Sequence, residues 1–183
     1  WADRLLQARP PSEARRLSQE QFDYYSKWWF VIVREALLLQ SGVRSAEELG
    51  GRYDWDLGKQ QIEEALKKLQ EIGLVSRGEN GELKPIDRTL QLGDGIARSS
   101  IFAFHKQMLI LAEKALMKYK THEREFHTLT LQITPEKYQR VREALQRFKK
   151  EVLEITDSGG DPGSIYQLNL QLFPLARSKK GNA

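Results

Sequence analysis

Residues 60–87 read QQIEEALKKLQEIGLVSRGENGELKPID, and the fold of this chain is decided there. Ile62, Ala65, Leu66, Leu69 and Ile72 recur at helical spacing, so one apolar stripe runs along a helix predicted over 57–72. Gly73 follows at once, where a helix closes on a residue with left-handed backbone. Then LVSRGENGELKPI alternates about Asn80-Gly81, a pair that favours a two-residue type I′ turn because both central residues take positive φ. The stretch therefore predicts a helix that stops and passes directly into a β-hairpin.

Upstream, Ser45 opens a short helix to about Gly50, and 51–56 make the connecting turn. Before it, Ser18 and Gln21 form a capping box for a helix over 19–40, with Phe22, Tyr25, Trp29, Ile32, Val33, Ala36 and Leu37 on its apolar side and Gly42 at its end. Residues 1–8 read as the tail of a helix, broken by Pro10-Pro11. The pattern EALxxLxxxGLVxR over 64–77 resembles the third helix and wing of bacterial winged-helix regulators. This resemblance implies a winged-helix domain over 19–92, behind a linker, or the tail of an absent N-terminal half, at 1–18.

Downstream, a long connecting helix is predicted from about Asp94 to Tyr119, within 93–122, with Ile96, Ile101, Phe102, His105, Met108, Leu109 and Leu116 on its inner side. The last third reads strand, helix, strand. Leu129, Leu131 and Ile133 alternate with polar residues, and so do Tyr166, Leu168, Leu170 and Leu172. Between them Thr134 caps a helix that has Pro135 at its first position and Tyr138, Val141, Leu145, Phe148, Val152 and Ile155 on its stripe. Two strands make a thin sheet, so a further strand from elsewhere in the molecule or from a second copy is expected. The predicted fold class is α+β and mostly helical: a winged helix-turn-helix, a long helix, a dimerisation or sensing module over 123–176, and a flexible tail at 177–183.

Composition bounds the function. With 183 residues, 40% of them hydrophobic and 30% charged, the chain can bury a core. No apolar run approaches the roughly 20 residues of a membrane span, and the start lacks the zones of a signal peptide. The absence of cysteine excludes disulfides and thiolate metal sites and suits a cytoplasmic protein. The net charge of +4 is unevenly spread: 1–44 carry +2, 45–92 carry −3, 93–127 carry +2 and 128–183 carry +3. The module that would read DNA is the acidic one.

A wider resemblance runs through FDYYSKWWFVIVREALL (22–38), FHKQMLILAEKAL (104–116), TLTLQITPEKYQRVREALQRFKKEVLEI (128–155) and IYQLNLQLFPLAR (165–177). These segments are similar to a paralogous bacterial family whose members are described only as candidate transcription regulators, with a C-terminal region of unknown function. In that family a helical N-terminal half precedes this region.

The site residues follow from geometry. With the apolar stripe inward, Gln60, Glu64, Lys67 and Glu71 face outward and Lys59 and Glu63 flank them. If double-stranded DNA is the partner, Lys59, Gln60 and Lys67 make groove contacts, and Arg77, Lys84 and Arg88 hold phosphates from the wing. The competing expectation is a protein-interaction module that contacts another protein or the N-terminal half. Tyr24 and Trp28, on the far side of the aromatic helix, would mark a partner surface. His105 reads as a core histidine, and GDG at 93–95 lacks the context of a phosphate loop. Thr130, Gln132, Gln167, Asn169 and Gln171 either line an effector site or face water. Neither an enzyme nor a cofactor is expected, and a homodimer is.

Overall fold

The computed structural model describes residues 14–16, 24–54, 56–86, 89–91, 98–156 and 163–177. The elements are β1 (Ala14–Arg16), α1 (Trp28–Leu39), α2 (Ala46–Gly50), α3 (Lys59–Glu71), β2 (Val75–Arg77), β3 (Leu83–Pro85), β4 (Thr89–Gln91), α4 (Arg98–Lys118) and α5 (Pro135–Thr156). The class is α+β and mostly helical.

The helix ends are set by local chemistry. Glu48 N–H donates to Ser45 Oγ at 3.2 Å, and Arg44 N–H donates to Glu48 Oε2 at 2.7 Å, a reciprocal cap that starts α2. Gly58 N–H donates to Gln61 Oε1 at 3.0 Å and starts α3. At the other end Gly73 has φ +68°. Its N–H donates to Gln70 O at 3.0 Å and that of Leu74 to Leu69 O at 2.8 Å, the paired bonds of a Schellman stop. Leu69 and Leu74 are both fully buried, the apolar contact that accompanies this motif.

The hairpin stands where it was predicted, with Val75 opposite Pro85 and Arg77 opposite Leu83. Its loop differs. Gly81 has φ +80°, whereas no non-glycine residue among those described has positive φ, so Asn80 does not. Gly81 N–H donates to Gly78 O at 2.9 Å and Gly78 N–H to Glu82 O at 2.8 Å. This is a three-residue loop, a turn over 78–81 followed by a left-handed glycine, which asks only one residue for positive φ.

The core lies between α1, α2, α3 and the hairpin, with Val33, Ala36, Val43, Leu49, Ala65, Leu69 and Leu74 at zero exposure. Leu83 N–H donates to Val43 O at 2.6 Å, tying the α1–α2 connection to β3 by one backbone hydrogen bond. The first helix starts later than predicted, at Trp28; Tyr24 and Tyr25 form a 3₁₀ turn before it, and the Ser18–Gln21 capping box lies outside the described residues. One pairing was not foreseen: β1, in the stretch read as a linker, pairs in parallel with β4, Ala14 opposite Thr89 and Arg16 opposite Gln91.

Gln107 docks α4 on the start of α1. Its Oε1 accepts from Trp28 N–H at 3.1 Å and its Nε2 donates to Ser26 O at 2.8 Å, so one amide serves both a free helix N–H and a turn carbonyl. Tyr25 meets Phe104 edge-to-face at 5.3 Å. Among the described residues of the predicted inner side only Met108 is buried; Phe102 is 71% and Leu109 51% exposed, and His105 is exposed rather than core, while Ile96 lies outside the described residues. Helical spacing gave α4 an apolar face, but the surface that face would meet is not provided by the described residues.

The predicted strand-helix-strand unit is corrected in the same way. Thr134 Oγ1 accepts from Lys137 N–H at 3.3 Å and starts α5 as expected, yet no residue of α5 is buried. The segments 125–133 and 163–174 run without turn or bend, and neither is a strand. Alternation prescribes two faces for a segment; a strand also needs a neighbouring backbone, and these two segments lack one within the described chain.

Candidate functional site

The start of α3 at Lys59 sets which side chains leave the surface. With Ile62, Ala65, Leu66 and Leu69 inward, Lys59, Gln60, Glu63, Glu64, Lys67 and Glu71 are all exposed, as the spacing predicts. The reciprocal cap of α2 fixes Arg44 and Glu47 beside the first turn of α3. Arg77 closes the other side from the end of β2, where its Nη1 donates to Gly81 O at 2.7 Å and to Arg44 O at 3.3 Å. The guanidinium thus staples the hairpin loop to the connection before α2.

These elements enclose an open groove of about 590 Å³ between α2, α3 and the β2–β3 hairpin. Arg44, Lys59, Lys67 and Arg77 line it together with Glu47, Glu63 and Glu71, over a floor that includes Leu66 and Leu83. The structure therefore brings together Lys59, Lys67 and Arg77 of the predicted contacts. It does not bring in Gln60, which is exposed outside the groove, or Lys84, which extends from β3 to Glu82 at 2.7 Å. Arg88 lies outside the described residues. Arg44 was missed by sequence reasoning, and the Ser45–Glu48 capping box was the signal that would have placed it.

The groove lysines have carboxylate partners. Lys59 Nζ lies 3.6 Å from Glu47 Oε2 and Lys67 Nζ 4.0 Å from Glu71 Oε1, while Lys27 pairs with Glu64 on the opposite flank of α3. The Lys59 and Lys67 pairs are exposed, a class of interaction worth about 0–1 kcal/mol, so a polyanion can displace the carboxylates while still being repelled by them. On the hairpin, the hydrogen bond from Lys84 holds the Glu82 carboxyl below the usual carboxylate range.

Tyr24 is corrected. It was read as a partner-surface residue on the outer side of a helix, but the 3₁₀ turn folds it inward, to 2% exposure against Tyr25 at 4.8 Å between ring centroids. Burial pushes its hydroxyl pKa well above the usual tyrosine value, countered in part by a hydrogen bond from the buried Arg34. Trp28 is half-buried and stands edge-on to Trp29 at 6.0 Å.

The family model for the domain of unknown function DUF4423 matches residues 9–175. The chain belongs to that family. The matched DUF4423 region holds the groove, α4 and α5 alike. No curated protein matches the chain, and no solved structure does. Among the described residues no helix of this DUF4423 chain is long and apolar enough to cross a membrane, and no group of three or more His, Cys, Asp or Glu is placed to hold a metal ion.

Proposed function

We propose that residues 28–86 are a winged helix, that the chain acts as a cytoplasmic transcription regulator, and that double-stranded DNA is the ligand of the groove between α3 and the wing. The observation that carries this reading is the convergence of Arg44, Lys59, Lys67 and Arg77, from three different elements, on one groove beside an outward helix face. Phosphate contacts supply most of the non-specific affinity of such modules, and each cation that meets a phosphate adds about 0.9 to the slope of log K against log salt. Charge reversal of Lys67 and Arg77 is expected to lower affinity for duplex DNA and to flatten that slope by roughly 1 per lost contact, read by fluorescence anisotropy between low and moderate salt. Unchanged affinity in both variants would remove DNA from this groove.

A second reading rests on the carboxylates. Glu47, Glu63 and Glu71 lie in the same groove, Glu47 and Glu71 paired to its lysines, and the unit is net acidic, which suits a protein partner that presents mixed charge. In that reading the module holds another protein or a preceding helical half. Gel shifts of this chain beside a longer form separate the two: binding by the longer form alone favours the interaction module.

A further inference from the structure

We infer that the C-terminal unit completes its sheet with a second copy of this chain, the segments 128–133 and 165–173 pairing across a two-fold axis with α5 over one face. The inference stands independently of what the α3 groove binds.

The backbone is the first observation. Among the described residues, no backbone-to-backbone hydrogen bond involves 125–133 or 163–174, although both segments are unbent and carry the period-two alternation of strands. One of them is already seated on its own chain: Ile165 packs against the helical core, and Asn169 Nδ2 donates to Met108 O at 3.3 Å. Tyr166 and Leu168 of that segment face outward, 79% and 50% exposed, while Leu170 and Leu172 are half-buried.

The apolar surface is the second. Leu129 is 82% and Leu131 47% exposed, and on α5 Phe148 is 44% exposed, so both segments and the helix between them leave part of their apolar sides uncovered. Among the described residues between 128 and 177, nine large hydrophobic side chains are exposed. On the order of 100 Å² from each reaches the roughly 800 Å² per partner that a standard stable interface buries.

Charge selects the occupant. Residues 128–134 and 163–176 contain no charged side chain, and their polar positions are Thr, Gln, Asn and Ser. Strands that must stay single are guarded by lysine, proline or inward charge along the edge, and Pro174 is the only such residue in either segment, at its far end. A two-fold interface sets a surface against itself, so it requires one without net charge, and these segments meet that requirement. The +3 of residues 128–183 resides on α5 and the last residues, away from the pairing edges.

The test is sedimentation equilibrium of the full 183-residue chain, with hydrogen exchange measured over a dilution series. The expected mass is twice the 21.2 kDa of the chain, and the amides of 128–133 and 165–173 exchange more slowly as concentration rises. Leu131→Lys and Leu168→Lys are expected to give the monomer mass with helical circular dichroism retained, whereas Phe102→Lys and Leu109→Lys on α4 leave the dimer intact. A monomer at every concentration overturns the inference, as does a dimer that survives the strand variants or is lost only with the α4 variants. If a strand variant fails to fold, the exchange pattern of the unaltered chain still decides: concentration-independent exchange in both segments refutes pairing between copies.

Discussion

Gly73 holds φ at +68° between the end of α3 and the buried Leu74, so its conformation directs the chain from helix into hairpin. An alanine there keeps the left-handed backbone at a cost of about 1–2 kcal/mol, and Gly73→Ala is expected to lower the urea midpoint accordingly without altering the slope. Leu69, fully buried one turn earlier, is a packing residue, and Leu69→Ala is expected to cost about 2–5 kcal/mol in the same assay. Glu82 adds a pH dependence. Its carboxyl pKa is lowered in the fold by Lys84, so its contribution is complete above the ordinary value of 4.5 and is lost as pH falls below it. Acid loosening of the hairpin, followed by exchange of the 78–82 amides, should therefore be weaker in Glu82→Gln. Much of this scale was legible beforehand: Gly73, the α3 stripe and the outward lysines all follow from spacing. Tyr24 was not, because its side depended on whether residues before Trp28 continue the helix or turn.

At the scale of elements, the attachment of α4 rests on a few side chains. Gln107 bonds Trp28 N–H and Ser26 O at once, and Lys118 reaches Asp56 at 2.7 Å, which raises the lysine pKa. Gln107→Leu keeps the bulk but leaves both backbone groups without this partner, and is expected to cost about 1–3 kcal/mol and to speed amide exchange in the first turn of α1. The Lys118 contribution has the opposite pH sense to that of Glu82: it is present below the ordinary lysine value of 10.5 and is lost as pH rises past it. Neither contact could be read from the sequence. A glutamine in a helix is ordinary; its partners lie about eighty positions earlier, and only packing brings them together. The β1–β4 pairing escaped for the same reason, since three residues carry no alternation from which a partner could be inferred.

For the whole molecule, association and stability are linked. If two copies share a sheet, the dimer is favoured by mass action, so the melting temperature of the chain should rise with protein concentration. That of Leu168→Lys should not, and a concentration-independent midpoint for the unaltered chain would count against pairing between copies. A two-fold dimer would also present two α3 grooves at a fixed separation, which suits paired half-sites on a duplex if DNA is the ligand.

Sequence alone determined the helices, the Schellman stop, the hairpin position and the outward set of α3, because each depends on spacing within a few residues of one backbone. Tertiary structure decided what those faces meet. It placed Arg44 among the groove cations, gave Lys59 and Lys67 their carboxylate partners, and turned Tyr24 inward. It also left the alternating segments at 128–133 and 165–173 without backbone-to-backbone hydrogen bonds among the described residues. Periodicity gives a segment its faces; the partner of each face is set by parts of the chain, or of a second chain, that local spacing does not encode.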